Sequence, residues 1–145
     1  YNLYKIKKML RHISEKIPKI NKFFKSSKEL VGCDILICKS FIETKFQFDM
    51  TWDNYGKIWE IDHIIPLVLF NLLIKEPQML VSNYKNLQPL YTEDNKSKND
   101  FLPNGQHAQN LPKIKSKQEL LDLIQTWPNP AEFEWVKEIN VNPVL

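Results

Sequence analysis

Glycine is scarce in this chain, three residues among 145, and cysteine is scarcer still, with two. So few glycines, and no biased repeat anywhere, exclude flexible linkers, low-complexity tracts and solenoid arrays. Cys33 and Cys38 lie five residues apart in a stretch that reads as helical. Two thiols at that spacing are neither a four-cysteine zinc knuckle nor a C-x-x-C pair. No structural zinc is expected, only reduced cysteines that are buried or half-buried. Long apolar runs are also missing. The longest, residues 64–74, is broken by Pro66 and Asn71 and falls short of a membrane span. Charges every few residues at the amino end leave no apolar segment for a secretory signal. The expectation is a soluble, intracellular protein that is not secreted.

Acidic residues are nearly absent from one region. Lys5, Lys7, Lys8, Arg11, Lys16, Lys19, Lys22, Lys25 and Lys28 crowd the first segment against Glu15 alone, although the net charge of the whole chain is only +3. Residues 4–17 place Ile6, Met9, Leu10, Ile13 and Ile17 near helical spacing with lysines opposite, and Pro18 ends the pattern. Such a basic amphipathic helix favours a polyanion, either nucleic acid or an anionic membrane surface. What the chain does hold is apolar material, 43% of its residues, enough for one domain with a real core.

Local signals divide the remainder. Ser26-Ser27-Lys28-Glu29 offers a capping box for a short helix through Val31, which Gly32 can close. Asp34 can cap a longer helix over residues 35–48, with Ile35, Ile42 and Phe46 on one face and Leu36, Ile37 and Phe41 broadening it. Asn54-Tyr55-Gly56 signals a turn, and residues 57–62 read as a strand. An excursion over residues 67–85, interrupted by Pro77, precedes a second strand from Asn86 to about Tyr91; loops of that length are often functional. Thr92 is a natural N-cap for a helix from Glu93 to about Asp100, stopped by Pro103-Asn104-Gly105. Asn95 and Lys98 fall on one side of it. Ser116-Lys117-Gln118-Glu119 opens a helix over residues 117–125 with a stripe of Leu120, Leu121 and Ile124. The tail from Trp127, rich in proline and aromatics, is expected to wrap the surface. His12 and His107 are expected to be surface residues.

The chemistry concentrates in Trp59-Glu60-Ile61-Asp62-His63-Ile64-Ile65-Pro66-Leu67, Asn86-Leu87-Gln88-Pro89-Leu90 and Asn95-Lys96-Ser97-Lys98. These stretches bring an acid, an imidazole and carboxamides into a frame of strand, strand and helix. That inventory can hold a hard divalent cation beside a general base, and phosphodiester hydrolysis needs both.

The order Asp62-His63, Asn86, Asn95 resembles the HNH endonuclease family, whose catalytic unit is the ββα-metal (His-Me finger) motif. The similarity extends over residues 28–100, including Leu30-Val31-Gly32-Cys33 and Met50-Thr51-Trp52-Asp53-Asn54-Tyr55-Gly56, and is to HNH endonucleases of phages and large DNA viruses. About half the chain is covered. The resemblance implies an α+β fold, a ββα-metal nuclease core with additional flanking helices. Its expected divisions are a basic arm over residues 1–26, a nuclease domain over 27–110 with the ββα core at about 57–100, and a carboxyl-terminal helix and extended tail over 111–145.

By the same resemblance His63 is the general base that takes a proton from the attacking water, Asp62 and Asn95 are the metal ligands, and Asn86 braces the loop bearing the histidine by bonding to backbone. Asn95 stands where the literal HNH pattern has a histidine, as in the HNH domain of RNA-guided CRISPR nucleases, and many relatives carry a histidine where this chain has Glu60. The expected activity is metal-dependent cleavage of DNA, leaving a 5′-phosphate and a 3′-hydroxyl.

The residue types themselves are consistent with these roles. Asp62 and Asn95 offer two hard oxygens, leaving an octahedral ion free to bind water and phosphate, so Mg²⁺ or Mn²⁺ is the expected cofactor and zinc is disfavoured. Lys98 can add positive charge at the scissile phosphate. Lys96, Lys98, Lys5, Lys8 and Arg11 are the candidate nucleic-acid contacts, suited to phosphates rather than bases, with duplex DNA as the expected partner and no membrane. Two alternatives stay open: a catalytically retired HNH-fold subunit that binds nucleic acid inside a larger assembly, and a membrane-surface protein using the basic helix.

Overall fold

The computed structural model describes Tyr4, Lys8, Phe24 and residues 26–142. Tyr4 and Lys8 are exposed; the rest of the expected basic helix, with Lys5, Arg11 and His12, lies outside the described residues. Among the described residues the fold is mixed α+β, helices together with one two-stranded antiparallel sheet. In order along the chain come α1 (Ser27–Val31), α2 (Ile35–Glu43), β1 (Trp59–His63), α3 (Lys75–Ser82), β2 (Leu87–Tyr91), α4 (Thr92–Lys98) and α5 (Lys117–Ile124).

Capping chemistry sets most of the helix starts. The Ser26 hydroxyl accepts from the Glu29 N–H, and α1 closes on Gly32 at φ +85°. A side chain there is excluded twice over, by that left-handed backbone and by the Asn83 amide, 2.8 Å from where a Cβ would stand. Asp34 caps α2 by accepting from Leu36 N, and Ser116 caps α5 by accepting from Glu119 N. In α5 the Glu119 carboxylate reaches back to the N–H of Lys115. Thr92, expected as a cap, is instead the first residue of α4; Tyr91 precedes it in extended conformation with no side-chain cap, because β2 runs straight into the helix.

Several boundaries differ from the sequence expectation. Helix α2 ends at Glu43 and not at 48, and its Leu36 and Ile37 are exposed, so Cys38 and Ile42 alone form its buried seam. Residues 67–85 are not a long loop: they contain a 3-10 turn at Leu67–Leu69 and helix α3, whose Pro77 sits in the first turn, where no intrahelical N–H is required. The tail is not an extended surface segment. Pro130–Glu138 winds as a kinked 3-10 helix that buries Phe133 and Val136, and Trp127 and Ile139 join them in the main core.

Two apolar clusters result. The larger lies among α1, α3, α5 and the 3-10 tail. The smaller joins α2 to the sheet through Cys38, Ile42, Met50, Trp52, Trp59 and Leu87. Trp59 is fully buried there, ringed edge-on by Phe46, Trp52 and Tyr55 at 4.9–5.4 Å, and its indole N–H donates to the Thr51 carbonyl (2.7 Å) and to Asn54 Oδ1 (2.8 Å). This anchor fixes the start of β1.

Candidate active site

Strand β1 pairs with β2 in the register Glu60 with Leu90, Asp62 with Gln88 and His63 with Leu87. Side chains alternate across a strand, so Glu60 and Asp62 share one face. Helix α4 packs on both strands. Asn95 and Lys98, three residues apart, share a helical face and contact that same carboxylate-bearing face of β1. Asn95 Nδ2 donates to Glu60 Oε1 at 2.5 Å, and Lys98 Nζ lies 3.2 Å from Asp62 Oδ2 and 3.4 Å from Oδ1.

Asp62 is buried, and its Oδ2 also accepts from Gln88 Nε2 at 2.9 Å. Burial of a carboxylate is costly unless it is paired and hydrogen-bonded, and here an ammonium and an amide do both. The Lys98 ammonium donates in addition to the His63 carbonyl at 2.9 Å, tying the end of β1 under the helix. His63 itself is buried at the strand end, 8% exposed.

Asn86 is fully buried and uses both ends of its amide. Its Oδ1 accepts from the Ile65 N–H (2.8 Å), while Nδ2 donates to the carbonyls of Ile65 (3.1 Å) and Val81 (2.9 Å). Its own carbonyl accepts from the Ile64 N–H at 2.8 Å. The two residues that follow His63 are thereby fastened to the start of β2.

The structure therefore brings Asp62, Asn95 and Lys98 onto one strand–helix contact, which Lys98 ties to the backbone of His63, while Asn86 is bonded to the backbone that follows His63. It sets Asn95 against Glu60 rather than against Asp62. Lys96 is exposed on the outer side of α4, 3.9 Å from Glu93, and takes no part in this contact. Lys8 is far along the chain from it, and Lys5 and Arg11 are not described. Glu60, marked in the sequence only as a place where many relatives carry a histidine, and Gln88, given no role there, both join the contact; strand alternation points to the first, and cross-strand register to the second. His107 lies at the surface, partly exposed, and is bonded through Nδ1 to Asp100 (2.9 Å) and stacked on Phe101.

Among the described residues, no group of three or more His, Cys, Asp or Glu is placed to hold a metal. The donor set at the strand–helix contact is of another kind, carboxylate oxygens plus one amide oxygen, and such hard oxygens suit a cation that keeps most of its water. The Lys98 ammonium stands in for positive charge beside the Asp62 carboxylate.

Two uncharacterized proteins of Acanthamoeba polyphaga mimivirus are similar to this chain. One is 36% identical over 117 residues, 79% of this chain and 52% of the relative; the other is 41% identical over 66 residues, 46% of this chain and 29% of the relative. The chain thus spans about half the length, or less, of the curated relatives it matches. Both are proteins of a giant virus. No protein-family model matches the chain, and no solved structure gives a significant match. No helix among the described residues is long and apolar enough to cross a membrane.

Proposed function

We propose that this chain is a metal-dependent DNA endonuclease of the HNH type, built on a ββα-metal core formed by β1, β2 and α4. The observation that carries the reading is the contact of α4 with one face of β1, which gathers Asp62, Asn95 and Lys98 beside the end of the strand where His63 stands. Asp62 and Asn95 would hold the ion, Mg²⁺ or Mn²⁺, which would supply Lewis-acid stabilisation of the negative charge that develops on the phosphate. His63 removes the proton from the attacking water, a contribution of about 10²- to 10⁴-fold for a well-placed base. Asn86 keeps the backbone after His63 in place through its bonds to Ile65 and Val81. Lys98 neutralises Asp62 and, with a phosphate bound, lends its charge to the phosphate instead. Cleavage leaves a 5′-phosphate and a 3′-hydroxyl.

A second reading, a retired nucleic-acid-binding subunit, is favoured by one observation: the Lys98 ammonium already satisfies Asp62 without an ion. Plasmid cleavage separates the two. The purified protein with Mg²⁺ or Mn²⁺ is expected to nick or linearise supercoiled plasmid, His63→Ala to lower the rate at least about 100-fold with DNA binding intact, and Asp62→Ala to lose the metal-supported cleavage. Uncut plasmid and single-stranded DNA over a wide range of protein concentration favour the retired reading, and a His63→Ala protein cutting at the wild-type rate removes His63 from the mechanism.

A further inference from the structure

We propose that Glu60 is a positioning residue for Asn95: its carboxylate holds the amide nitrogen and so reserves the amide oxygen for the metal. The inference rests on the metal-site reading above and adds to it a requirement particular to this chain.

An asparagine side chain has two ends of similar size and opposite chemistry. The oxygen can ligate a cation; the NH₂ group only donates hydrogen bonds. An asparagine ligand that is free to rotate by half a turn presents the wrong end as readily as the right one. A carboxylate has acceptors only, so a carboxylate beside the amide can bond to the NH₂ end and to nothing else. Glu60 is that carboxylate, with Oε1 2.5 Å from Asn95 Nδ2. No other side-chain bond of Asn95 competes with it among the described residues. The opposite end of the amide, Oδ1, is thereby left for the cation, with Asp62 two residues along the strand from Glu60 and Lys98 one turn along the helix from Asn95.

The arrangement follows from elementary geometry. Glu60 reaches α4 because strand alternation puts it on the face that carries Asp62, and Asn95 reaches Glu60 because it stands in the first turn of a helix that leaves β2 without a loop. Partners that orient a ligand in this way matter to metal affinity by about 10- to 100-fold.

Mn²⁺ binding measured without DNA, by electron paramagnetic resonance of the free ion, tests the inference on four proteins: wild type, Glu60→Ala, Asn95→Asp and the double variant. Aspartate has an oxygen at both ends and needs no orienting partner. Glu60→Ala is therefore expected to weaken Mn²⁺ binding about tenfold when residue 95 is asparagine, and by less than about twofold when it is aspartate, with thermal midpoints showing that all four proteins are folded. An equal loss in both backgrounds makes Glu60 a direct ligand and overturns the proposal, as does no loss with Asn95 in place. Asp62→Ala is the separate control. If the wild type binds no Mn²⁺, or binds it equally well without Asp62, the metal-site reading itself falls and takes the orienting role with it.

Discussion

Asn86 illustrates how much one side chain can organise when both of its ends are used. Its oxygen meets an N–H and its nitrogen meets two carbonyls, all in the interior, so neither Asp nor Leu reproduces the set. Asn86→Ala leaves the Ile65 N–H and the Ile65 and Val81 carbonyls without those bonds. An unsatisfied buried group costs about 1–3 kcal/mol, and the substitution is expected to destabilise the protein by about 3 kcal/mol or more. Urea unfolding monitored by circular dichroism measures it. Asn86→Asp is expected to be no better, because a carboxylate oxygen then faces two carbonyl oxygens. An Asn86→Ala protein within about 0.5 kcal/mol of wild type, the range of ordinary surface changes, shows that the amide is not holding these strands together.

At the scale of elements, short-range chemistry was the legible part. Ser26, Asp34 and Ser116 cap the helices that sequence assigned to them, and both strands lie within one or two residues of their expected ends. What could not be read is tertiary in origin. Apolar periodicity carried α2 to residue 48, yet the packing of Phe46 on Trp52 and Trp59 requires the chain to turn after Glu43. Pro77 reads as a break in sequence, and only the start of α3 at Lys75 puts it in a first turn, where proline is tolerated. Of the candidate site, Asp62, His63, Asn86 and Asn95 stand out in the sequence through the resemblance that their order carries, while the contacts of Glu60 and Gln88 need the strand face and the register. The partner of His107 is likewise set by the fold. The histidine is brought to Asp100 by the turn after α4, where the backbone of Phe101 pairs with that of His107 and Gly105 takes φ +85°.

That turn makes a pH prediction. The hydrogen bond from His107, with the attraction of its ring charge, holds the Asp100 carboxyl below the ordinary carboxylate range. A carboxyl whose pKa is lower when folded stabilises the fold fully above its unfolded value, about 3.9. That contribution is lost as pH falls through the lower folded value. Asp100→Asn removes the titrating group, so stability below about pH 4 is expected to fall less steeply with acid than in wild type. Urea midpoints collected at intervals from neutral to acid pH decide it: parallel acid limbs for the two proteins show that the pair contributes nothing to acid sensitivity.

For the whole molecule the consequential fact is that the candidate site sits on the smaller apolar cluster, while the tail completes the larger one. The two are joined by short covalent and hydrogen-bonded links: the chain runs from Trp59 in one, along β1 and past its end, to Ile65 in the other, and Asn86 bonds across to Ile65 and Val81. A unit of this size with such links is expected to unfold in one cooperative step. Damage to the tail should then reach the site without touching it. Phe133 packs edge-on against Trp127 at 4.8 Å, and truncating a buried phenylalanine costs about 3–5 kcal/mol. Phe133→Ala is therefore expected to lower the melting temperature by roughly 10 °C at about 2–4 °C per kcal/mol. The shift should be the same whether melting is followed by far-ultraviolet circular dichroism of the helices or by near-ultraviolet signals from the aromatic cluster around Trp59. Two separate transitions, with the aromatic signal unmoved, would mean that the strand–helix unit holds itself together and that the tail stabilises only its own cluster.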